Sequence, residues 1–293
     1  MTIIANLQTT AAGFDGKNLI NYGRYPIANA GHSVRQKIIE KVKSDLADDG
    51  CALLDGFLNE FGLGIILNEA LERRSTAYFS NNNRTNAYFS TPDPSLPNTH
   101  PVNIMMDRTN GFITSDQFEP TTNACQFYHW HPLLRFLADC LDKDQLYIYA
   151  DPISNMIINV CSPGTQFNWH FDTNEFTITM LLKPASSGGY FEYAPAIRTA
   201  DDENYTGVAE VLKGKSDRVK RLQLKPGDLQ FFLGRYALHQ VTKNTGDDDR
   251  LLIIMSFTEQ PDVVGSKQRV KQLYGRLAKA HHQDRSRNDN LMD

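Results

Sequence analysis

From residue 145 onward the chain breaks into short runs rich in β-branched and aromatic residues: LYIYA, SNMIINV, FTITMLL, GYFEYA, KRLQL, DLQFFLG and RLLIIMSF. Turn signals separate them, among them Pro163-Gly164, Gly188-Gly189 and Pro226-Gly227. This texture calls for a sandwich or barrel of antiparallel strands, and a jelly-roll double sheet is its natural form.

The preceding half reads differently. Ser33 followed by Gln36 resembles a capping box, and Val34, Ile38, Ile39, Val42 and Leu46 recur at helical spacing, which predicts a helix over 33–48 ending near Gly50. CALLDGF then reads as a short buried strand. Residues 59–74 form a second helix despite Gly62 and Gly64, and residues 120–142 a third. The Asn-, Thr- and Pro-rich stretch 81–101 reads as a long loop over the core, of the kind that is frequently functional. After Gly265 the chain turns polar and basic, with a short helix expected at 266–279 and a frayed tail, HHQDRSRNDNLMD.

These elements predict one α+β, mainly β domain. Residues 1–144 supply a mainly helical N-terminal part, 145–260 a double-stranded β-helix (jelly-roll) core, and 261–293 a C-terminal helix and tail. A formal net charge of −4 leaves no electrostatic footprint for nucleic acid, so the expected partner is a small molecule. The four cysteines are scattered with no C-x-x-C pair, and no stretch approaches the roughly 18 apolar residues of a membrane span. With an N-terminus lacking a basic segment and a long apolar core, these features predict a cytoplasmic protein. The oligomeric state stays open.

The chemistry begins at NWHFDTNEFTITMLL, where His170 and Asp172 stand at period two and so share a face if the run is a strand. A third group, His239, lies in GRYALHQVTKN. Two histidines and one carboxylate in the order H-x-D then a distant His form the facial triad of mononuclear non-haem iron, which leaves coordination positions open for substrates and dioxygen. Eleven residues beyond His239, Arg250 opens the apolar run LLIIMSF. A buried guanidinium needs an anion, and a carboxylate fits its planar fork best.

Simpler readings compete. Arg250 has Asp247, Asp248 and Asp249 beside it as structural partners. His129 and His131 in YHWH tempt as a second metal site, but i and i+2 on a helix face different ways. His281 and His282 read as solvated tail residues, and the glycines of SSGGYF as turn punctuation.

H-x-D, a distal His and an Arg about ten residues later resemble the iron and 2-oxoglutarate dependent dioxygenase superfamily. PGTQFNWHFDTNEFTITMLLKP, GGYFEYAP, LKPGDLQFFLGRYALHQVT, RTNGF and QLYGR are similar to its branch of free-amino-acid halogenases and hydroxylases, the lysine-type enzymes included, over roughly residues 25–278. The resemblance implies Fe(II) held by His170, Asp172 and His239, with 2-oxoglutarate and O2 as cosubstrates and Arg250 on the distal carboxylate of 2-oxoglutarate. It implies hydroxylation of an unactivated C–H bond of a free amino acid, whose carboxylate Arg108 anchors. Halogenases of this branch carry glycine where this chain has Asp172, so oxygen transfer is favoured over halogen transfer. The serine that many relatives carry two residues after the arginine is Leu252 here; Ser256, on the same strand parity, is the candidate replacement. Asn110, Thr173 and Asn174 are further substrate candidates, with Tyr190 and Glu192 behind them. Desaturation or cyclisation by the same oxidant, a non-catalytic metal-binding sensor on the same fold, and a cupin-like hydrolase or isomerase are the alternatives.

Overall fold

The computed structural model describes residues 13–81, 83–282 and 291–292. Helix α1 (Ser33–Asp49) is capped by His32, whose Nδ1 accepts from Val34 N at 3.2 Å. The expected capping box therefore does not form: Ser33 is already helical and the Gln36 side chain reaches Glu40 instead. Strand β1 (Cys51–Leu54) and helix α2 (Glu60–Glu72) follow as anticipated. The awkward glycine of α2 has a packing reason, since a Cβ on Gly62 would lie 2.0 Å from the Leu19 carbonyl oxygen.

Two-residue strands β2 (Tyr78–Phe79), β3 (Arg84–Thr85) and β4 (Met106–Asp107) punctuate the next stretch, before β5 (Gly111–Ile113). The loop between β3 and β4 is pinned by asparagines: Asn86 Nδ2 donates to Val102 O at 2.6 Å and Asn103 Nδ2 to Asp93 O at 2.8 Å. The single helix expected over 120–142 is two, α3 (Asn123–Tyr128) and α4 (His131–Cys140). Pro132 lacks the N–H that a continuous helix needs there, so it occupies the first turn of a new one. His129 caps α3, its Nδ1 bonded to Cys125 O, while His131 starts α4; the two are not on one helix at all.

The remaining strands are β6 (Tyr147–Ile148), β7 (Met156–Cys161), β8 (Phe167–His170), β9 (Thr177–Lys183) and β10 (Phe191–Ala194). A helix that the sequence reading did not anticipate, α5 (Tyr205–Leu212), then leads into β11 (Lys220–Leu222), β12 (Leu229–Phe232), β13 (Leu238–Val241), β14 (Arg250–Met255) and β15 (Phe257–Thr258). Helix α6 (Lys267–Tyr274) closes at Gly275, short of the expected 279. NWHFDTNEFTITMLL is thus not one strand. It ends β8, crosses over, and starts β9 in the other sheet.

Strands β1-β12-β9-β14-β7-β5-β2 form a seven-stranded sheet and β11-β10-β13-β8 a four-stranded one, with antiparallel pairing throughout. From β7 to β14 the chain alternates largely between them, and the two sheets face each other: Phe191 of β10 and Phe232 of β12 are 5.1 Å apart. Alternation along each strand divides the large sheet. Ile178, Met180, Leu229, Phe231, Leu251 and Ile253 pack with α1 and α4 in the main core, while Thr179, Gln230, Phe232, Arg250 and Leu252 occupy the other parity, toward the small sheet. The architecture is mixed, with large antiparallel sheets and six α-helices among the described residues. No helix among them is long and apolar enough to cross a membrane.

The tail also departs from expectation. His281 is buried, not solvated: its Nε2 lies 2.7 Å from Asp151 Oδ2, with both side chains fully enclosed, whereas His282 is exposed. The rest of the predicted frayed tail, residues 283–290 and 293, lies outside the described residues.

Candidate functional site

β8 and β13 pair so that His170 and His239 stand opposite each other, with ring centroids 4.1 Å apart. Each ring is fixed from behind. His170 Nδ1 lies 2.7 Å from Asn168 O and His239 Nδ1 2.9 Å from Ala237 O. A carbonyl can only accept, so Nδ1 carries the hydrogen in both and both Nε2 lone pairs are free to ligate. Phe167 stacks on His170 at 3.8 Å and Phe232 meets His239 edge-on at 4.8 Å. Burial, with His239 adding to it, pushes the His170 pKa well below the usual imidazole range and keeps the ring neutral.

Asp172 sits in the crossover after β8, not on a strand, yet its Oδ1 is 3.9 Å from His170 Nε2 and 3.5 Å from His239 Nε2. Period-two parity therefore located the right neighbour for a reason that does not hold. The Asp172 N–H donates to Gly234 O at 3.0 Å and its Oδ2 accepts from Thr177 Oγ1 at 2.6 Å. Burial alone would raise this carboxyl, but neighbouring His239 and the Thr177 hydroxyl outweigh it and hold the pKa far below the carboxylate norm. Arginines brace the crossover: Arg269 Nη2 donates to Phe171 O at 2.6 Å, Arg235 Nη1 to Thr173 O at 2.9 Å, and the Arg198 guanidinium lies 3.8 Å over the Phe171 ring.

One ligand atom from each of His170, Asp172 and His239 lies within 4.8 Å of the other two, in the only such described group of three or more metal-ligating side chains. Two imidazole nitrogens and one carboxylate oxygen, with the rest of the sphere open, fit a mononuclear Fe(II) ion.

Arg250 enters between the sheets at the start of β14. It is 3% exposed, and its Nη1 is buried without a hydrogen-bond partner among the described residues. The acidic neighbours do not supply one, since Asp249 pairs with Arg74 and Asp248 with Lys183. Burial lowers the Arg250 pKa. The side chain lines a cavity of about 250 Å³ with Leu181, Tyr190, Phe191 and Leu224. Phe191 in turn approaches His239, at 5.8 Å between rings.

A second cavity, about 100 Å³, opens on Asp172, Thr173, Asn174, Thr177, Ser256, Arg269 and Tyr274. Thr173, Asn174 and Ser256 are thus placed beside the metal cluster. Ser256 and Arg250 line different cavities, six residues apart on the chain. Arg108 and Asn110 are each 1% exposed. Arg108 Nη2 donates to Gln272 O at 3.2 Å near the end of α6, and neither residue is among those lining the Asp172 cavity. Both amide atoms of Asn110 and the side-chain oxygen of Gln272 are buried without partners among the described residues. Tyr190 stacks on Arg221, and Glu192 is committed to Arg221 and Gln240. Sequence reasoning missed Thr177, Gly234 and Arg269. Gly234, in the FLGR turn beside the His239 motif, left the plainest signal.

No curated protein sequence matches the chain. Solved structures do. The α-ketoglutarate-dependent carbocyclase SnoK of nogalamycin biosynthesis is 13% identical, with TM-score 0.52 over 74% of this chain and 82% of its own. The epimerase SnoN in complex with Fe3+, α-ketoglutarate and nogalamycin RO is 13% identical, with TM-score 0.51 over 76% and 84%. AviO1 from Streptomyces viridochromogenes Tue57 is 17% identical, with TM-score 0.50 over 78% and 95%. At these identities the likeness is one of fold. The family model described as halogenase D matches residues 113–274, from the last residue of β5 to the end of α6 and more than half of the 293 residues, so the chain is an oxidoreductase of the halogenase D family.

Proposed function

We propose that this chain, as a single domain with a double-stranded β-helix core, is an Fe(II)- and 2-oxoglutarate-dependent oxygenase that uses O2 to hydroxylate an unactivated C–H bond of a free amino acid. The observation that carries the reading is the convergence of His170 Nε2, Asp172 Oδ1 and His239 Nε2, with both Nδ1 atoms committed to backbone carbonyls.

Bound there, Fe(II) supplies the O2-dependent oxidation coupled to decarboxylation of 2-oxoglutarate. The chain's own residues do the rest. Arg250 offers its unpartnered guanidinium edge to the distal carboxylate of 2-oxoglutarate, and its low-dielectric setting strengthens that contact. Phe167, Phe191 and Phe232 exclude water around the imidazoles. Arg108 and Asn110, whose amide is buried and unpartnered, hold the substrate carboxylate, while Thr173, Asn174 and Ser256 face the substrate from the Asp172 cavity.

Asp172 supports hydroxylation over chlorination even within a family named for halogenases, because its carboxylate occupies the place a halide would need. Anaerobic Fe(II) plus 2-oxoglutarate should give a visible charge-transfer band. Turnover with a panel of amino acids, with and without chloride, should give one added oxygen. Loss of two hydrogens would indicate desaturation or ring closure, and a chlorinated product would overturn the role given to Asp172.

A further inference from the structure

The two oxygens of Asp172 have different surroundings. Oδ1 faces both imidazole Nε2 atoms, at 3.9 and 3.5 Å. Oδ2 is turned away and accepts from Thr177 Oγ1 at 2.6 Å. On its other side lies Gly234, close enough that a Cβ there would stand 2.0 Å from Oδ2, 2.7 Å from Cγ and 2.9 Å from Cβ of the aspartate. Any side chain at 234 would therefore evict the carboxylate. The backbone reinforces the arrangement, since the Asp172 N–H donates to Gly234 O at 3.0 Å.

We propose that Thr177 and Gly234 are positioning residues that make Asp172 a one-oxygen ligand: Thr177 keeps Oδ2 in a hydrogen bond and Gly234 leaves the space the carboxylate needs to stand at that angle. The consequence is a count of open positions. An octahedral ion held by two imidazoles and one carboxylate oxygen keeps three positions for small molecules, two for a chelating 2-oxo acid and one more. A carboxylate bound through both oxygens would leave only two, and the chelate would fill them. Thr177 is the first residue of β9, whose partner Phe232 also packs on His239, so hydroxyl, carboxylate and distal histidine are referenced to one point of the large sheet.

This inference rests on the metal reading above, and the test separates the two. Co(II) serves as the probe, with its affinity read by titration and its coordination number by the intensity of its d–d bands. If the unmodified protein takes up no Co(II), the metal reading itself falls. If it binds one ion per chain, Thr177→Val should weaken binding about 10–100-fold or shift the bands, as loss of a partner behind a metal ligand does, and Thr177→Ser should restore both. Gly234→Ala should weaken Co(II) binding at least as much. In an Asp172→Gly background, which removes Oδ2, Cγ and Cβ together, the same change should have no further effect, because every atom it meets is gone. Wild-type affinity and spectrum in Thr177→Val would overturn the role of Thr177. A Gly234→Ala loss that persists in the Asp172→Gly background would overturn that of Gly234. Near-UV circular dichroism of each variant establishes that the fold is retained.

Discussion

Arg74 neutralises Asp249, with Nε 2.5 Å from Oδ2, and so withdraws the carboxylate that precedes Arg250 in the chain. Arg74 also donates to Ser162 Oγ at 2.8 Å, which fixes its direction. The guanidinium that opens β14 is left buried with Nη1 unsatisfied, an arrangement that costs folding free energy until an anion arrives.

Replacing Arg250 by Met should therefore do two opposite things. Thermal stability of the free protein should rise by roughly 2–4 °C, because an unpaired buried charge is removed in favour of an apolar side chain of similar length. The stabilisation conferred by 2-oxoglutarate on the iron-loaded protein should vanish, an affinity loss of about 2 kcal/mol or more. Differential scanning fluorimetry with and without 2-oxoglutarate reads both effects. An unchanged ligand-induced shift would sink the assignment.

Gly62→Ala is expected to destabilise by about 1–3 kcal/mol, because the new methyl group meets the Leu19 carbonyl at 2.0 Å and backbone must move. Gly64→Ala, in open space on the same helix, should be neutral or slightly stabilising. Urea midpoints of the two variants make the comparison.

His281 donates from Nε2 to Asp151, whose other oxygen accepts from the N–H groups of Ile153 and Ser154. His281 Nδ1 accepts from Ala278 N at 2.9 Å, which leaves the hydrogen on Nε2. Gly265 N also donates to Asp151, so the pair ties the chain on both sides of α6, a wall of the Asp172 cavity. His281→Ala should cost about 2–3 kcal/mol. It should also speed amide exchange in α6 more than in β14, measurable by hydrogen–deuterium exchange.

Burial lowers the His129 pKa below the imidazole norm, against the opposing hydrogen bond to Cys125 O. The unfolded chain therefore binds more protons than the folded one once pH drops below about 6.5. Stability should be flat above that value and fall on acidification through it toward the depressed folded pKa. His129→Gln should flatten this stretch of the profile, so the urea midpoint difference between about pH 7.5 and about pH 5.5 should be smaller than in wild type.

The residues of the candidate site were legible in the sequence because their order along the chain, H-x-D, His, Arg, is itself informative, and no fold was needed to see it. The strand runs were legible for a related reason: β7, β9, β12 and β14 are buried on both faces and read as near-continuous apolar segments. Where local signals compete, the reading failed. Pro132 split a helix that looked continuous, and His32 took the cap that Ser33 advertised.

The sequence by itself singled out the three groups that converge, His170, Asp172 and His239, because their order along the chain is that of a nitrogen and oxygen donor set. It also located the antiparallel strands, through their composition and the turns between them. Tertiary structure alone decided how those groups are held. Asp172 reaches the histidines from a crossover between two sheets, and His239 stands opposite His170 through pairing across 69 residues of chain. Arg250 is unpartnered because Arg74, remote in sequence, takes its neighbour, and Thr177 and Gly234 fix the angle of a carboxylate whose sequence position says nothing about them. Long-range pairing and close backbone approach depend on where distant segments stack, and no local pattern encodes that.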